Sequence, residues 1–279
     1  MRAKGAVAAD LTSSAMTQLR GSTALVTGAT GGLGREIARA LGREGCSVVV
    51  TGRQAGPLDE LAAEVGGRAV RADLSRREEL PRLLEEAGPL DIAVMNAALP
   101  ASGELQDWEQ GDIDRAIEVN LANPVAMTRS LLPGFLAKRS GHLVYISSLS
   151  GKVASRGAPL YSATKFGLRG FAHGLRCDLQ GTGVGCSVIN PGFVRDAGMF
   201  ADSGAKLPPG VGTATPEQVA GAVVKAIRAN RAEIDVAPVG LRLGATIGSL
   251  IPGLSAVVQA RVGAGVSRQM VEGQRHKRV

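Results

Sequence analysis

Two side chains set four residues apart, Tyr161 and Lys165, have the types needed to move a proton. The segment Tyr161-Ser162-Ala163-Thr164-Lys165 reads as helix, and i, i+4 spacing puts phenol and ammonium on one face. A cation beside a phenol favours the phenolate, which brings the group toward the range useful for acid–base work. Ser148 stands thirteen residues upstream, just past a β-branched run, where its hydroxyl could polarise a substrate carbonyl. The other tyrosine, Tyr145, lies inside that run, and packing is its expected role. A Tyr-x-x-x-Lys match alone arises by chance, so the reading rests on what accompanies it.

What accompanies it is the turn Thr27-Gly28-Ala29-Thr30-Gly31-Gly32-Leu33-Gly34, which follows a strand and opens a helix. Glycine permits a tight turn and a close backbone approach to a pyrophosphate. The helix N-terminus adds free N–H groups and a positive dipole end. A glycine turn can be bland, but this context makes Gly28, Thr30, Gly32, Leu33 and Gly34 candidate dinucleotide contacts. The second strand ends in Thr51-Gly52-Arg53, without the acidic residue that would hold a ribose 2′-OH. Arg53 either pairs with a 2′-phosphate, pointing to NADP with NAD as the alternative, or is a solvated helix-start residue. Asp73-Leu74 and Asn96-Ala97 close the third and fourth strands, at carboxyl ends where open α/β sheets bind ligands. Asp and Asn are also ordinary strand terminators.

The elements that must position these groups alternate regularly. Strands are expected at 23–27, 46–51, 68–72, 90–96, 142–147, 185–190 and 233–237, the second a continuous apolar run suited to a strand buried on both faces. Helices are expected at 35–44, 58–65, 76–87, 113–138, 160–179 and 216–229. Right-handed crossovers make this a doubly wound parallel sheet: an α/β, Rossmann-like single domain over residues 21–237. Residues 1–20 carry no apolar run long enough for a signal peptide and read as disordered. A helical C-terminal extension spans 238–266, and a basic tail spans 267–279.

Composition excludes other classes. The 279 residues are 44% hydrophobic, too apolar for a disordered chain, and the 38 glycines follow no collagen period. With 3% aromatics the core must be aliphatic, which suits layered α/β packing. The net charge of +7 clusters only at Arg275-His276-Lys277-Arg278, a solvated tail rather than a nucleic-acid arm. Cys46, Cys177 and Cys186 form neither a disulfide framework nor a metal-ligand spacing, so no metal is expected and a reducing, cytoplasmic setting is.

Taken together, the glycine turn, Asn96-Ala97-Ala98, Asn120, Ser148, Tyr161, Lys165 and Pro191-Gly192 resemble the short-chain dehydrogenase/reductase family in its single-domain branch, over about residues 21–237. The resemblance implies that Tyr161 is the acid/base, that Lys165 lowers its pKa and holds the nicotinamide ribose, and that Ser148 binds the substrate oxygen. It also implies that Asn120 anchors a water in a proton relay, and that Pro191, Gly192 and Val194 join the cofactor site. It implies hydride transfer between a nicotinamide and an alcohol or ketone. Two positions depart from the family pattern: Ala98 replaces a glycine, and Asp196 replaces the threonine that helps hold the carboxamide. A sugar epimerase or dehydratase is disfavoured by the glycine spacing and the short substrate region. A non-catalytic NAD(P)-sensing regulator is disfavoured by the intact Ser148, Tyr161 and Lys165.

Residues 193–212, rich in Gly, Pro and small side chains, read as a lid with Phe193, Met199 and Phe200 on its inner surface, or else as a disordered insertion. Leu243, Ile247, Leu250, Ile251, Leu254, Val257 and Val258 form one apolar stripe in a stretch without charge, bracketed by Arg242 and Arg261 and broken by Pro252-Gly253. Two short amphipathic helices that bury this stripe on the substrate mouth or a partner subunit are the leading expectation. Peripheral membrane contact and a spanning helix are the alternatives. The family resemblance implies that the Tyr161 helix packs its opposite face against a second subunit, and Gly167, Gly170, Ala172 and Gly174 keep it slim enough for close approach, so a homodimer or homotetramer is expected.

Overall fold

The structure is a computed structural model and describes residues 17–208, 210–251, 253 and 269–273. Seven strands form one parallel sheet in the order β3-β2-β1-β4-β5-β6-β7. They are β1 (Thr23–Thr27), β2 (Ser47–Gly52), β3 (Arg68–Arg71), β4 (Ile92–Met95), β5 (Gly141–Ile146), β6 (Val184–Pro191) and β7 (Glu233–Val236). The helices are α1 (Gly32–Arg43), α2 (Ala55–Glu64), α3 (Leu80–Ala87), α4 (Gln110–Ile117), α5 (Asn123–Ala137), α6 (Pro159–Asp178), α7 (Gly198–Ser203), α8 (Pro216–Arg228) and α9 (Val239–Leu250).

Alternation along the strands sends side chains into two cores. Ala24, Val26, Val48 and Val50 meet Ile37 and Leu41 of α1 and Val219, Val223 and Ile227 of α8. Leu25 and Val49 point the other way, into a core shared with Leu83 of α3, Met127 and Phe135 of α5, and Leu168 of α6. Because helices cover both faces, every residue of β4, β5 and β6 is buried. The chain order reverses between β1 and β4, which leaves a crevice at their carboxyl ends.

Three expectations change. Packing starts before residue 21: Thr17 and Leu19 are buried, and the Cys46 thiol donates to the Leu19 carbonyl. The expected helix 113–138 is interrupted at Glu118–Ala122 by a π-helical turn, whose extra residue hydrophobic periodicity does not reveal. The segment 193–212, expected as a lid or an insertion, is partly helical, through α7, with Phe193 and Phe200 rings 5.0 Å apart.

The described part of the apolar stripe is only partly covered by the body. α9 turns its small residues, Ala245 and Gly248, toward the body, while Leu243, Ile247 and Leu250 are at least half exposed. Short side chains let the helix axis come closer, so Leu243 and Leu250 stay outside the core while Ile247 reaches the cavity wall. Leu254, Val257, Val258, most of the basic tail and residues 1–16 lie outside the described residues. Among the described residues no helix is long and apolar enough to cross a membrane.

Candidate active site

The crevice between β1 and β4 is fastened by Thr27 and Asn96. The Thr27 hydroxyl accepts from the backbone N–H groups of Asn96 (2.9 Å) and Ala97 (3.0 Å). The Asn96 amide donates to the carbonyls of Thr27 (2.9 Å) and Gly28 (3.2 Å). Asn96 therefore positions the glycine turn. A Cβ at Gly28, whose φ is +62°, would stand 2.8 Å from Ala97 Cα, and one at Gly34 would stand 2.3 Å from the Gly28 carbonyl oxygen. Only glycine fits at either place.

The first turn of α1 has no side-chain cap and no acidic residue. Its N–H groups at Gly32, Leu33 and Gly34 belong to the turn that helical geometry leaves without intrahelical partners. With the glycine cradle they suit a dinucleotide's pyrophosphate. Thr30 packs toward Gly52, and Leu33 lines the adjoining cavity. Asp73 accepts from the Ser75 N–H (3.0 Å) and hydroxyl (2.8 Å). Burial pushes the Asp73 carboxyl up, but those bonds and the charges of Arg53 and Arg76 hold it below its ordinary value. Arg53 is exposed beside it, at the end of β2. Leu74 is buried, and its carbonyl accepts from the Asn123 amide at 3.1 Å.

Ser148, Tyr161 and Lys165 come together at the ends of β5 and α6. The Ser148 hydroxyl accepts from the Ser150 N–H at 3.0 Å and shares the cavity wall with the Tyr161 phenol. Burial pushes the Tyr161 phenol up to about 12, with the Ser148 contact pulling against it. Lys165 is buried, and its ammonium donates to the Ile146 carbonyl at 2.9 Å. That ammonium lies 5.6 Å from the centroid of the Tyr161 ring, and burial pulls it down to about 8. The expected i, i+4 pairing is present as a contact with the ring, and desolvation dominates both groups. The Ser147 hydroxyl ties α6 to the sheet through the Lys165 carbonyl at 3.0 Å. Tyr145 is a packing residue: it is fully buried, its hydroxyl 2.7 Å from that of Thr128.

Asn120 sits in the π-helical turn and holds the loop after β4. Its amide oxygen accepts from the Leu99 N–H (2.7 Å), and its amide nitrogen donates to the Leu99 carbonyl (3.0 Å). Pro191 ends β6, the Gly192 N–H donates to Val236, and Val194 is buried and bridged to Ala214. Asp196 has a φ of +66° and an exposed carboxylate 3.2 Å from Arg195. That exposure does not match the carboxamide-holding place implied for this position.

Three of the four catalytic candidates, Ser148, Tyr161 and Lys165, line one cavity of about 540 Å³, and Asn120 is not among its lining residues. Its walls include Leu149, Val153, Phe193, Met199 and Phe200, and α9 closes one side with Leu241, Ala245 and Ile247. Sequence reasoning passed over the loop between Ser148 and α6, which contributes Ser150, Ser155 and Arg156. Its run of small and polar residues between a strand and a helix was the available signal.

A family model for short chain dehydrogenases matches residues 22–208. The ketoacyl reductase HetN of Nostoc sp. (strain PCC 7120 / SAG 25.82 / UTEX 2576) is 37% identical over 230 residues, covering 79% of this chain and 80% of that protein. An uncharacterized oxidoreductase of Staphylococcus aureus (strain MRSA252) is 34% identical over 189 residues, 65% of this chain and 82% of that protein. A crystal structure with the provisional name betaketoacyl-ACP reductase superposes with a TM-score of 0.73 at 28% identity, covering 80% of this chain and 99% of that one. A short chain dehydrogenase/reductase family protein superposes at 0.71 and 29% identity, covering 79% and 97%. A family match across most of the sheet, with a relative above 30% identity along most of its length, makes this chain a member of the short-chain dehydrogenase family.

Proposed function

We propose that this oxidoreductase transfers a hydride between NADP and a hydroxyl or carbonyl carbon of an apolar small molecule. The observation that carries the reading is Ser148 and Tyr161 set together in the wall of one apolar cavity, backed by buried Lys165. A nicotinamide dinucleotide held by the glycine turn supplies or accepts the hydride. Tyr161, held protonated through the neutral range, gives its proton to the carbonyl oxygen as the carbon gains hydride, and Ser148 donates a hydrogen bond to the same oxygen. In the reverse direction the phenolate takes the alcohol proton, and the Lys165 cation stabilises that phenolate. Asn120 acts as a positioning residue through Leu99. Arg53, beside Asp73 at the end of β2, supports NADP over NAD.

The site supports NAD(P)-linked catalysis over a regulator that only binds nucleotide. Three free cysteines accord with a cytoplasmic setting. For self-association the helix face is divided. A Cβ on Gly167 would meet the chain's own Leu121 at 3.0 Å, and Ala172 is buried in the core, whereas Gly170 and Gly174 border open space beside exposed Phe166. That open face supports a homodimer or homotetramer through α6, which light scattering tests. The exposed Leu243 and Leu250 of α9 favour peripheral membrane contact as a second reading, tested by flotation with anionic vesicles.

Nucleotide titration followed by a panel of apolar ketones and alcohols, read at the nicotinamide absorbance band, tests the reading. The wild type binds NADPH more tightly than NADH and turns over at least one carbonyl. Arg53→Ala weakens NADPH by roughly 10- to 150-fold, the worth of a hydrogen bond to a charged group (about 1.5–3 kcal/mol), and leaves NADH unchanged. Equal titration of the two nucleotides contradicts the NADP assignment. Tight NADPH binding without turnover on any member of the panel favours the regulator.

A further inference from the structure

The cavity that holds Ser148 and Tyr161 is charged in one sense only. Among the described residues, Arg156 and Lys165 are the charged ones in its lining, and no carboxylate is with them. Lys165 is buried and donates to the Ile146 carbonyl, behind the phenol. Arg156 differs: it is exposed, and among the described residues no ion pair engages it. The backbone that carries it is tied on both sides. Ahead of it, the Ser155 N–H donates to the Ser162 hydroxyl at 3.3 Å, and the Ser155 hydroxyl lies 3.2 Å from that of Ser150. Behind it, the Gly157 carbonyl accepts from the Gly103 N–H at 2.7 Å, and Gly157 takes a φ of +69°. Arg156 therefore projects from a fixed turn at the rim of an otherwise apolar cavity. A guanidinium presents a planar fork of donors that matches carboxylate and phosphate oxygens.

We propose that Arg156 is a specificity-determining residue that holds an anionic group, carboxylate or phosphate, on a substrate whose remaining body is an apolar chain. This deepens the proposed oxidoreductase reading and rests on it for the word substrate. The binding preference itself stands apart from turnover. The chain fills the space between Val153, Phe193, Phe200 and Leu241, while the anion stays at the rim, where its desolvation cost is small.

Calorimetry on the full-length, NADPH-loaded protein tests this with three probes of equal chain length: octanoate, octyl phosphate and octan-1-ol. At least one anion binds the wild type about tenfold more tightly than the alcohol, and the comparison of octanoate with octyl phosphate identifies which anion the rim accepts. Arg156→Gln removes the preference, and Arg156→Lys keeps part of it, since a point charge remains without the fork. Octan-1-ol binding as tightly as both anions overturns the proposal. So does an Arg156→Gln variant that keeps the preference, or the absence of binding by all three probes. Tyr161→Phe keeps the anion preference. A preference that depends on Arg156 in a protein without turnover defeats the reductase reading and leaves the rim site standing. Turnover without the preference does the reverse.

Discussion

Helices α6 and α9 both wall the same cavity, and they do so by opposite means. α6 buries Leu160, Ser162, Thr164, Lys165, Leu168 and Ala172 and is tied to the sheet by charge. Glu233 of β7 accepts from Arg169 (2.9 Å), contacts His173 (2.6 Å) and accepts from the Asn190 amide (2.6 Å), while Lys152, in the loop before α6, lies 3.1 Å away. α9 buries only Ala245 and Gly248, lends Leu241 and Ile247 to the cavity wall, and leaves Leu243 and Leu250 outward. The helix that carries chemistry is fixed from several directions, and the helix that shapes the pocket rests on small residues. Catalytic geometry tolerates little displacement, whereas a pocket wall can vary without disturbing the reaction.

The largest effect belongs to α6. Tyr161→Phe removes the proton donor and lowers turnover by roughly 10²–10⁴-fold, with NADPH affinity nearly unchanged. A Phe variant close to the wild-type rate would place the chemistry elsewhere. On α9, Ala245→Leu pushes a larger side chain into the wall. Overpacking of this kind costs about 1–3 kcal/mol, so KM for a bulky apolar carbonyl rises roughly tenfold while nucleotide affinity holds. A fall in turnover with KM unchanged would mean that α9 bears on the chemistry as α6 does.

The anchoring of α6 has a pH dependence. Burial pushes the Glu233 carboxyl up, but Arg169 and Lys152 outweigh it and hold the group at about 2, against an ordinary value of 4.5. Its stabilisation is therefore complete above 4.5 and lost as pH falls toward about 2. Glu233→Gln gives a flatter melting profile across that window and a Tm at pH 7 lower by roughly 2–4 °C, as expected for about 1 kcal/mol in a chain of this size. Parallel profiles for the two proteins would show that the network does not anchor the helix. The smallest effect is at Leu250→Ser on the exposed side of α9, where stability changes by no more than about 0.5 kcal/mol in calorimetric unfolding. A larger loss would reveal a contact that covers that face.

The contrast between the helices also explains what was legible beforehand. Strands β1, β2, β4, β5 and β6 followed from short apolar runs, because a sheet covered on both faces demands continuous apolar segments. Tyr161 was legible because the chain has two tyrosines, Lys165 because its spacing from Tyr161 fits one helix, and Ser148 because it stands just past a strand thirteen residues upstream. The π-helical turn at Glu118–Ala122 was not, since a single inserted residue barely disturbs an amphipathic pattern. The orientation of α9 was only partly legible, because bulk marks the buried side only where there is room for it: Ala245 and Gly248 fill the buried places, Ile247 reaches the cavity wall, and Leu243 and Leu250 face outward. Arg156 escaped because an arginine in a loop is ordinary until the cavity beside it is seen.

Label transfer tests the central claim most directly. The full-length protein is incubated with NADPH deuterated at the nicotinamide C4 and with the apolar carbonyl it turns over best, and the product is read by mass spectrometry. The account predicts one deuterium on the new carbinol carbon with the wild type, and almost none with Tyr161→Phe despite bound nucleotide. Alcohol formed without deuterium at that carbon, or full labelling by the Phe variant at the wild-type rate, would contradict it.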